Sequence, residues 1–178
     1  MRIEQVKAIF MDVDGVLTDG SIYVGPNDYE LKRFTVEDGV GTALARQAQL
    51  LLAFISGRDS EATAVRARQL KIDHVYQGYM NKLEALEILL EKLALDAPEV
   101  VYIGDGLIDI PVMERVGVPV SVPNAHPLVK KMAVYITECS GGQGVLREVV
   151  EWILRQQGRF EEVVAGLRAN IHEARWPG

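Results

Sequence analysis

Two aspartates separated by one residue, Asp12 and Asp14, are the first side chains along the sequence that could do chemistry. An apolar, β-prone run at 6–11 precedes them, and Gly15 follows, where the chain can turn sharply. This pattern predicts a buried strand whose carboxyl end carries both carboxylates, and ligands bind at that end of an open α/β sheet. Two carboxylates so close together are costly unless they share a cation or a proton. The pair therefore indicates a hard metal ion, and Mg²⁺ bound by one or two carboxylates and a substrate phosphate fits it.

An Asp-x-Asp-Gly sequence also occurs in ordinary turns and in calcium-binding loops. A calcium loop needs further oxygen ligands at set spacings and a distal glutamate. Val16 and Leu17 follow Gly15 instead. The calcium interpretation is therefore excluded, whereas the ordinary turn stays open when this segment is taken alone.

Polar side chains at the ends of further predicted elements could act together with the aspartate pair. Ser56 follows an apolar strand, Lys82 opens a helix, and Asp105 and Asp109 follow a later strand. Phosphoryl transfer needs a nucleophile, a cation, donors to the phosphate oxygens and an acid for the leaving group. Each residue alone has a structural explanation, as a helix cap, a solvated lysine or a turn. Their order on successive strand–helix units favours a phosphoryl-transfer site.

The elements that position these groups alternate between strands and helices. Strands are predicted at 6–11, 50–55, 74–76, 100–103, 118–122 and 134–137, and helices at 39–49, 60–70, 82–95, 110–116, 127–133 and 144–157. This alternation predicts the α/β class, with a doubly wound, Rossmann-like parallel sheet. We predict one domain over 1–178, with a C-terminal helical tail at 159–178 that is helical through 173.

A β-hairpin is predicted between the aspartate pair and the first of these helices. Its strands are 21–24 and 29–34, joined by strong turn residues at 25–28. A lone two-stranded hairpin is marginally stable in water. We therefore expect this flap, 21–34, to pack on something, and its own subunit offers no evident partner. Another subunit is the candidate.

Composition narrows the cellular setting and the partners. The chain has 178 residues and a net charge of −6, which argues against a broad nucleic-acid surface. Cys139 is the only cysteine, so an intrachain disulfide is impossible and a reducing compartment is expected. No apolar stretch is long enough for a bilayer span, and no signal-peptide core is evident. The prediction is a cytoplasmic protein with neither nucleic acid nor membrane as partner.

The sequence resembles the haloacid dehalogenase superfamily of aspartyl phosphotransferases over about 6–157. Within it, the chain is most similar to the 3-deoxy-D-manno-octulosonate 8-phosphate phosphatases, which lack a cap domain. The segments that carry this narrower resemblance are 12–20, 34–39, 55–58, 76–82, 125–129 and 141–144. Sugar-acid phosphatases of the sialic-acid and nonulosonate pathways have a similar pattern.

The resemblance implies the roles of the acidic residues. Asp12 attacks phosphorus and becomes an aspartyl phosphate, which water then hydrolyses. Asp14 protonates the leaving alkoxide and later activates the water. Mg²⁺ is held by the Asp12 carboxylate, the Asp14 backbone carbonyl and Asp105.

The resemblance also implies the residues that hold the substrate phosphate. Ser56, Gly57 and Lys82 bind its oxygens, and Asp109 orients Lys82 or a metal-bound water.

Two residues are candidates for contact with the rest of the substrate. Arg58 could pair with a substrate carboxylate, although a surface position at the start of a helix is the alternative. Thr35 is assigned to the substrate through the 34–39 segment of the resemblance.

The chain departs from its close relatives at Gly106. They usually have Gly-Asp-Asp where this chain has Gly104-Asp105-Gly106, although the looser Gly-Asp-x-x-x-Asp pattern persists through Asp109. Gly106 either removes a carboxylate that supports the metal ligands or is required by a positive φ.

The expected function is that of a Mg²⁺-dependent phosphoric monoester hydrolase acting on a phosphorylated sugar acid. The first candidate substrate is 3-deoxy-D-manno-octulosonate 8-phosphate, which belongs to lipopolysaccharide precursor synthesis. A nonulosonate 9-phosphate phosphatase with the same mechanism is one alternative. A catalytically weakened binding or scaffold protein is the other, because of Gly106. The resemblance further implies a homotetramer in which hairpins pack together and each site is roofed by a neighbour.

Overall fold

The structure is a computed structural model that describes residues 3–27 and 29–173. Its strands are β1 (Ala8–Met11), β2 (Tyr23–Val24), β3 (Glu30–Leu31), β4 (Leu51–Ile55), β5 (His74–Tyr76), β6 (Val100–Gly104), β7 (Val118–Ser121) and β8 (Tyr135–Ile136). Its α-helices are α1 (Glu37–Gln47), α2 (Glu61–Leu70), α3 (Lys82–Leu93), α4 (Ile110–Arg115), α5 (Pro127–Met132), α6 (Val145–Gln156) and α7 (Phe160–Glu173). Short 3₁₀ turns lie at Ile3–Gln5, Ala97–Glu99 and Leu107–Asp109.

The predicted α/β class and parallel sheet are confirmed. Six strands form one sheet in the order β5-β4-β1-β6-β7-β8, and every neighbouring pair is parallel. All four residues of β1 are buried, as expected for a strand covered by helices on both faces. The bounds of the sheet strands and of the flanking helices differ from the predicted ones by no more than two residues.

The register of β1 aligns the strand ends that matter for the site. Ala8 pairs with Leu51 of β4 and with Val100 of β6, and Met11 lies level with Ile103. The segments that follow these three strands therefore leave the sheet at the same edge. The order of strands also reverses beside β1, and such a switch point is where a crevice opens in doubly wound sheets.

The hairpin differs from its prediction. β2 and β3 contain two residues each, and the pairs are Tyr23–Leu31 and Val24–Glu30. The predicted strands, 21–24 and 29–34, are too long, because Lys32 lies outside the paired segment and its side chain is buried. Asp28, in the predicted turn, lies outside the described residues.

The hairpin also has partners within its own subunit, contrary to expectation. Glu30 accepts a hydrogen bond from Ser60 at the start of α2, and Lys32 reaches Asp14. Several apolar side chains of the hairpin nevertheless stay exposed, with Tyr23 at 59% and Val24 at 79%.

Among residues 3–27 and 29–173, no helix combines the length and the hydropathy needed to cross a membrane. The predicted C-terminal tail contains α7, and its positions 174–178 lie outside the described residues.

Candidate active site

The edge of the sheet after β1, β4 and β6 brings together the predicted acids and the predicted phosphate-binding lysine. Asp12 follows β1, Asp105 follows β6, and Lys82 is the first residue of α3. The Lys82 ammonium is fully buried and forms ion pairs with Asp12 and Asp109. Because an ammonium has three donors, these two pairs leave one N–H for a ligand oxygen.

Asp109 is the group that holds Lys82 in place. One of its oxygens accepts from Lys82 Nζ at 2.7 Å and from the Tyr102 hydroxyl at 2.6 Å. The other accepts from the backbone N–H groups of Asp105 at 3.0 Å and Gly106 at 2.9 Å. An ionised carboxylate has about four acceptor positions, so the capacity of this fully buried side chain is used. Asp109 is therefore placed to position Lys82, with little capacity left to bind a metal directly.

Asp12 and Asp105, with Asp109 beside them, fit a divalent cation. Ligand oxygens of Asp12, Asp105 and Asp109 lie within 4.8 Å of one another. Burial raises the pKa of Asp12 from its ordinary 3.8 to about 7 although Lys82 opposes the shift. Burial also raises the pKa of Asp105 to about 6, with Asp109 adding to the effect. Such shifts express the cost of holding these charges without a compensating cation, and a hard metal ion would remove that cost.

The Asp14 carboxylate has a different neighbour. It forms a two-point ion pair with Lys32, whose Nζ lies 2.8 Å from Oδ1 and 2.9 Å from Oδ2. The side chain of Lys32 is fully buried, whereas that of Asp14 is 20% exposed. Among the described residues, the close carboxylate group that could hold a metal does not include Asp14.

The loop that carries the two aspartates is closed by its own backbone. Gly15 has φ 88°, and a Cβ there would lie 2.1 Å from an oxygen of Asp105. Only glycine fits such a position. The Thr18 hydroxyl accepts from the backbone N–H groups of Gly15 and Gly20, so the turn is held together from inside.

A glycine-rich segment, 141–144, supports this loop from outside. A Cβ on Gly141 would lie 2.0 Å from the carbonyl oxygen of Gly15. Asn124 bridges the two segments, because it donates to the Gly15 carbonyl at 2.9 Å and accepts from the Gly141 N–H at 2.7 Å. The close approach explains the glycine, and the segment acts as a support for the aspartate loop.

Ser56 and Gly57 lie where β4 ends. Ser56 is buried, and its hydroxyl accepts from the backbone N–H of Arg58 at 3.2 Å. A Cβ on Gly57 would approach the side chains of Ile108 and Met80 within 3.1 and 3.3 Å. There is therefore little room for a larger side chain at Gly57.

The two candidates for contact with the rest of the substrate are engaged elsewhere. Arg58 pairs with Glu30 of the hairpin at 2.7 Å. The Thr35 hydroxyl accepts from the Glu37 N–H at the start of α1, and its carbonyl accepts from Arg66 at 2.6 Å. Neither contact tests a role toward the substrate, so both assignments stay predictions.

The structure shows whether Gly106 needs a positive φ. Its φ is −102°, and a Cβ there would meet its nearest atom, Asp109 Oδ2, at an ordinary 3.6 Å. The explanation by a positive φ is wrong. The absence of a side chain at this position is therefore not imposed by the fold.

Three residues of the site were missed by sequence reasoning. Lys32 was included in a predicted strand, Tyr102 in an apolar strand, and Asn124 in a loop. Only for Asn124 did a usable signal exist, since it precedes the 125–129 segment of the family resemblance. The other two contacts join residues that no local pattern connects.

Comparison with known proteins gives one family model and many relatives. The model, described as haloacid dehalogenase-like hydrolase, matches residues 45–149. The chain is 47% identical over 161 residues to the 3-deoxy-D-manno-octulosonate 8-phosphate phosphatase KdsC of Escherichia coli strain K12. That alignment covers 90% of this chain and 86% of the relative.

Solved structures show the same similarity. The crystal structure of 3-deoxy-D-manno-octulosonate 8-phosphate phosphatase from Yersinia pestis has a TM-score of 0.87 and 43% identity, covering 90% of this chain and 86% of that one. The enzyme from Moraxella catarrhalis, solved with a magnesium ion, a phosphate ion and a KDO molecule, has a TM-score of 0.88 and 39% identity. The second match covers 92% of this chain and 94% of that one.

Proposed function

Because the chain belongs to the haloacid dehalogenase-like hydrolases and, within them, to the 3-deoxy-D-manno-octulosonate 8-phosphate phosphatases, we propose that it is a Mg²⁺-dependent phosphatase for that sugar acid phosphate. It is a phosphoric monoester hydrolase, and its product serves lipopolysaccharide precursor synthesis. One observation carries the proposal: Asp12, Lys82, Asp105 and Asp109 meet at one edge of the sheet in a chain 47% identical to such an enzyme.

Asp12 is proposed as the nucleophile. One of its oxygens accepts from the Val13 N–H at 2.7 Å, and the other pairs with Lys82. An oxygen of Asp12 bonds to phosphorus while the bond from phosphorus to the sugar oxygen breaks, and Asp14, in its protonated form, gives that oxygen its proton. Water then attacks the phosphorus of the aspartyl phosphate, Asp14 accepts the proton of the water, and inorganic phosphate leaves.

The phosphate oxygens are bound by groups that the fold already orients. Lys82 presents its remaining N–H, and Ser56 and Gly57 lie at the end of the neighbouring strand. Preorganised donors of this kind stabilise charge that develops in the transition state. Asp109 acts through Lys82, because its own acceptor positions are occupied. Arg58 and Thr35 remain proposed contacts to the sugar acid.

The Mg²⁺ would be held by the carboxylates of Asp12 and Asp105 and by the backbone carbonyl of Asp14. When bound, it supplies Lewis-acid neutralisation of the phosphate oxygens. The raised pKa values of Asp12 and Asp105 support this assignment.

We further propose one phosphatase domain over 1–178 with the hairpin at 21–34 as a flap, located in the cytoplasm and assembled as a homotetramer. The exposed apolar side chains of the hairpin, among them Tyr23 and Val24, support assembly. The net charge of −6 supports the absence of nucleic acid among its partners. Light scattering of the purified protein tests the tetramer, and a monomer would contradict it.

Phosphate release from a panel of substrates tests the activity. The panel contains 3-deoxy-D-manno-octulosonate 8-phosphate, a nonulosonate 9-phosphate and 4-nitrophenyl phosphate, each with Mg²⁺ and with excess chelator. We expect the first substrate to have the highest kcat/KM, by about tenfold or more, and chelator to abolish turnover. A preference for the nonulosonate would support the first alternative. No hydrolysis of any substrate would support the scaffold alternative.

A further inference from the structure

Lys32 is a buried lysine that sequence reasoning did not assign to the site. Its side chain has no exposed surface, and its ammonium contacts both oxygens of Asp14 at 2.8 and 2.9 Å. The hydroxyl of Thr63 in α2 lies 3.3 Å from the same nitrogen. Lysine is almost never fully buried unless it is paired, so the pairing with Asp14 is the feature to explain.

The ammonium of Lys32 belongs to a network that ties the hairpin to α2. Glu30 lies 3.7 Å from Lys32 Nζ. The carboxylate of Glu30 accepts from the Ser60 hydroxyl at 2.6 Å and from Arg58 at 2.7 Å. Both sides of the Asp14–Lys32 pair are therefore anchored, Asp14 by the closed loop after β1 and Lys32 by the start of α2.

A role in stability alone does not account for this arrangement. Burying a lysine and a carboxylate together is often no better than burying two apolar side chains of the same shape. The pair instead fixes the orientation of one particular carboxylate, and that carboxylate is the proposed proton donor to the leaving group. Small displacements of a catalytic group cost large factors in rate.

We propose that Lys32 is a positioning residue that holds the Asp14 carboxylate for proton transfer to the leaving sugar oxygen. The inference rests on the proposed function, since it requires Asp14 to act as the general acid. It makes the hairpin part of the catalytic apparatus of its own subunit. Because the side chain of Lys32 has no exposed surface, we assign it an effect through Asp14 and no contact with the substrate.

The leaving group provides a readout that a purely structural role would not move. A sugar alkoxide is a strong base and needs a proton as it departs, whereas 4-nitrophenolate is a weak base and departs without one. The ratio kcat/KM covers only the steps up to departure of the alcohol. Misplacing Asp14 should therefore lower kcat/KM for the sugar-acid phosphate and spare it for the aryl phosphate.

The experiment compares the wild type with Lys32→Met, Asp14→Asn and the double variant. Lys7→Met is the matched control, because Lys7 also pairs with a carboxylate, Glu99, but is 62% exposed and lies before β1. All proteins are assayed with Mg²⁺ on both substrates, and their melting temperatures are recorded. The double variant removes both charges together, so it keeps the test usable if unpaired Asp14 weakens the fold of Lys32→Met.

We expect Lys32→Met to lower kcat/KM for the sugar-acid phosphate by roughly 10- to 100-fold and for 4-nitrophenyl phosphate by less than about threefold. In the Asp14→Asn background the same substitution should add little, since it acts through Asp14. Lys7→Met should match the wild type on both substrates.

Three results would overturn the role of Lys32 in an active enzyme: equal losses on the two substrates, a full additional loss in the Asp14→Asn background, or faster turnover of the sugar-acid phosphate by Lys32→Met. A separate result would contradict the proposed function: a wild type that hydrolyses 4-nitrophenyl phosphate but no sugar-acid phosphate.

Discussion

Two buried carboxylates at helix starts, Asp109 and Asp38, have opposite surroundings. Asp109, just before α4, is fully buried and receives four hydrogen bonds. Asp38, in the first turn of α1, is 1% exposed, yet neither of its oxygens has a hydrogen-bond partner of good geometry among the described residues. Of the two, Asp109 belongs to the candidate active site.

The difference has an electrostatic consequence at Asp38. Burial raises its pKa to about 6, and Glu37 adds to the shift. The Arg66 guanidinium and the Thr35 N–H oppose the shift only in part. A buried charge is tolerated where donors surround it and is costly where they do not. Burial alone therefore marks neither a functional nor a stabilising carboxylate, and the donors around it decide.

The largest effect is expected at the nucleophile beside the Asp109 network. Asp12→Asn should lower kcat by roughly a thousandfold or more, because an amide cannot form the acyl phosphate. The fold should survive, since the change removes a buried charge whose pKa is already raised to about 7. Steady-state kinetics and a melting curve check both statements. Near-normal turnover would contradict the mechanism.

Asp109→Asn disrupts the carboxylate that accepts four hydrogen bonds. The amide cannot accept from all four donors, and the charge opposite Lys82 is lost. We expect a loss of about 3 kcal/mol in the free energy of unfolding and a fall of roughly 100-fold in kcat/KM. Urea unfolding and kinetics measure these changes. A stable variant with normal kcat/KM would show that the network positions nothing.

Asp38→Asn makes the same substitution at the carboxylate that has few donors around it. We expect this variant to have a higher free energy of unfolding than the wild type, where Asp109→Asn has a lower one. The pKa of Asp38 in the folded protein, about 6, exceeds its ordinary 3.8. The contribution of Asp38 to the free energy of unfolding is therefore fully present below pH 3.8 and is lost as the pH rises through 6. An asparagine amide does not ionise in this range. The free energy of unfolding of the variant should therefore exceed that of the wild type by up to about 3 kcal/mol at pH 7. At pH 4 the gain should nearly vanish.

Unfolding curves across that pH range test the Asp38 prediction, and kcat serves as the control because it should not change. A wild type that is the more stable protein at pH 7 would show that the carboxylate of Asp38 has a partner in the assembled protein.

Gly106→Asp, next to the Asp109 network, has the smallest expected effect. The φ of −102° and the ordinary contact distances that a Cβ would have there predict an unchanged melting temperature. An added carboxylate near Asp105 should lower the Mg²⁺ concentration for half-maximal activity by up to about tenfold. A Mg²⁺ titration of activity measures it. A lowered melting temperature with an unchanged titration would mean that the position does not support the metal.

Local patterns in the sequence were sufficient to predict the order of strands and helices, the parallel sheet and the strand ends that carry Asp12, Ser56 and Asp105. Hydrophobic periodicity and glycine positions are properties of short segments, and parallel strands bring their carboxyl ends to one edge. These features therefore follow without knowledge of distances between segments.

Other features depended on contacts between distant parts of the chain. Lys32 meets Asp14 across 18 residues, and Asn124 meets Gly15 across 109. The two-residue hairpin strands, the negative φ of Gly106 and the scarcity of donors around Asp38 within the described chain are of the same kind. Whether a charged side chain is paired, buried or exposed depends on which segments fold against it, and no spacing along the chain specifies that.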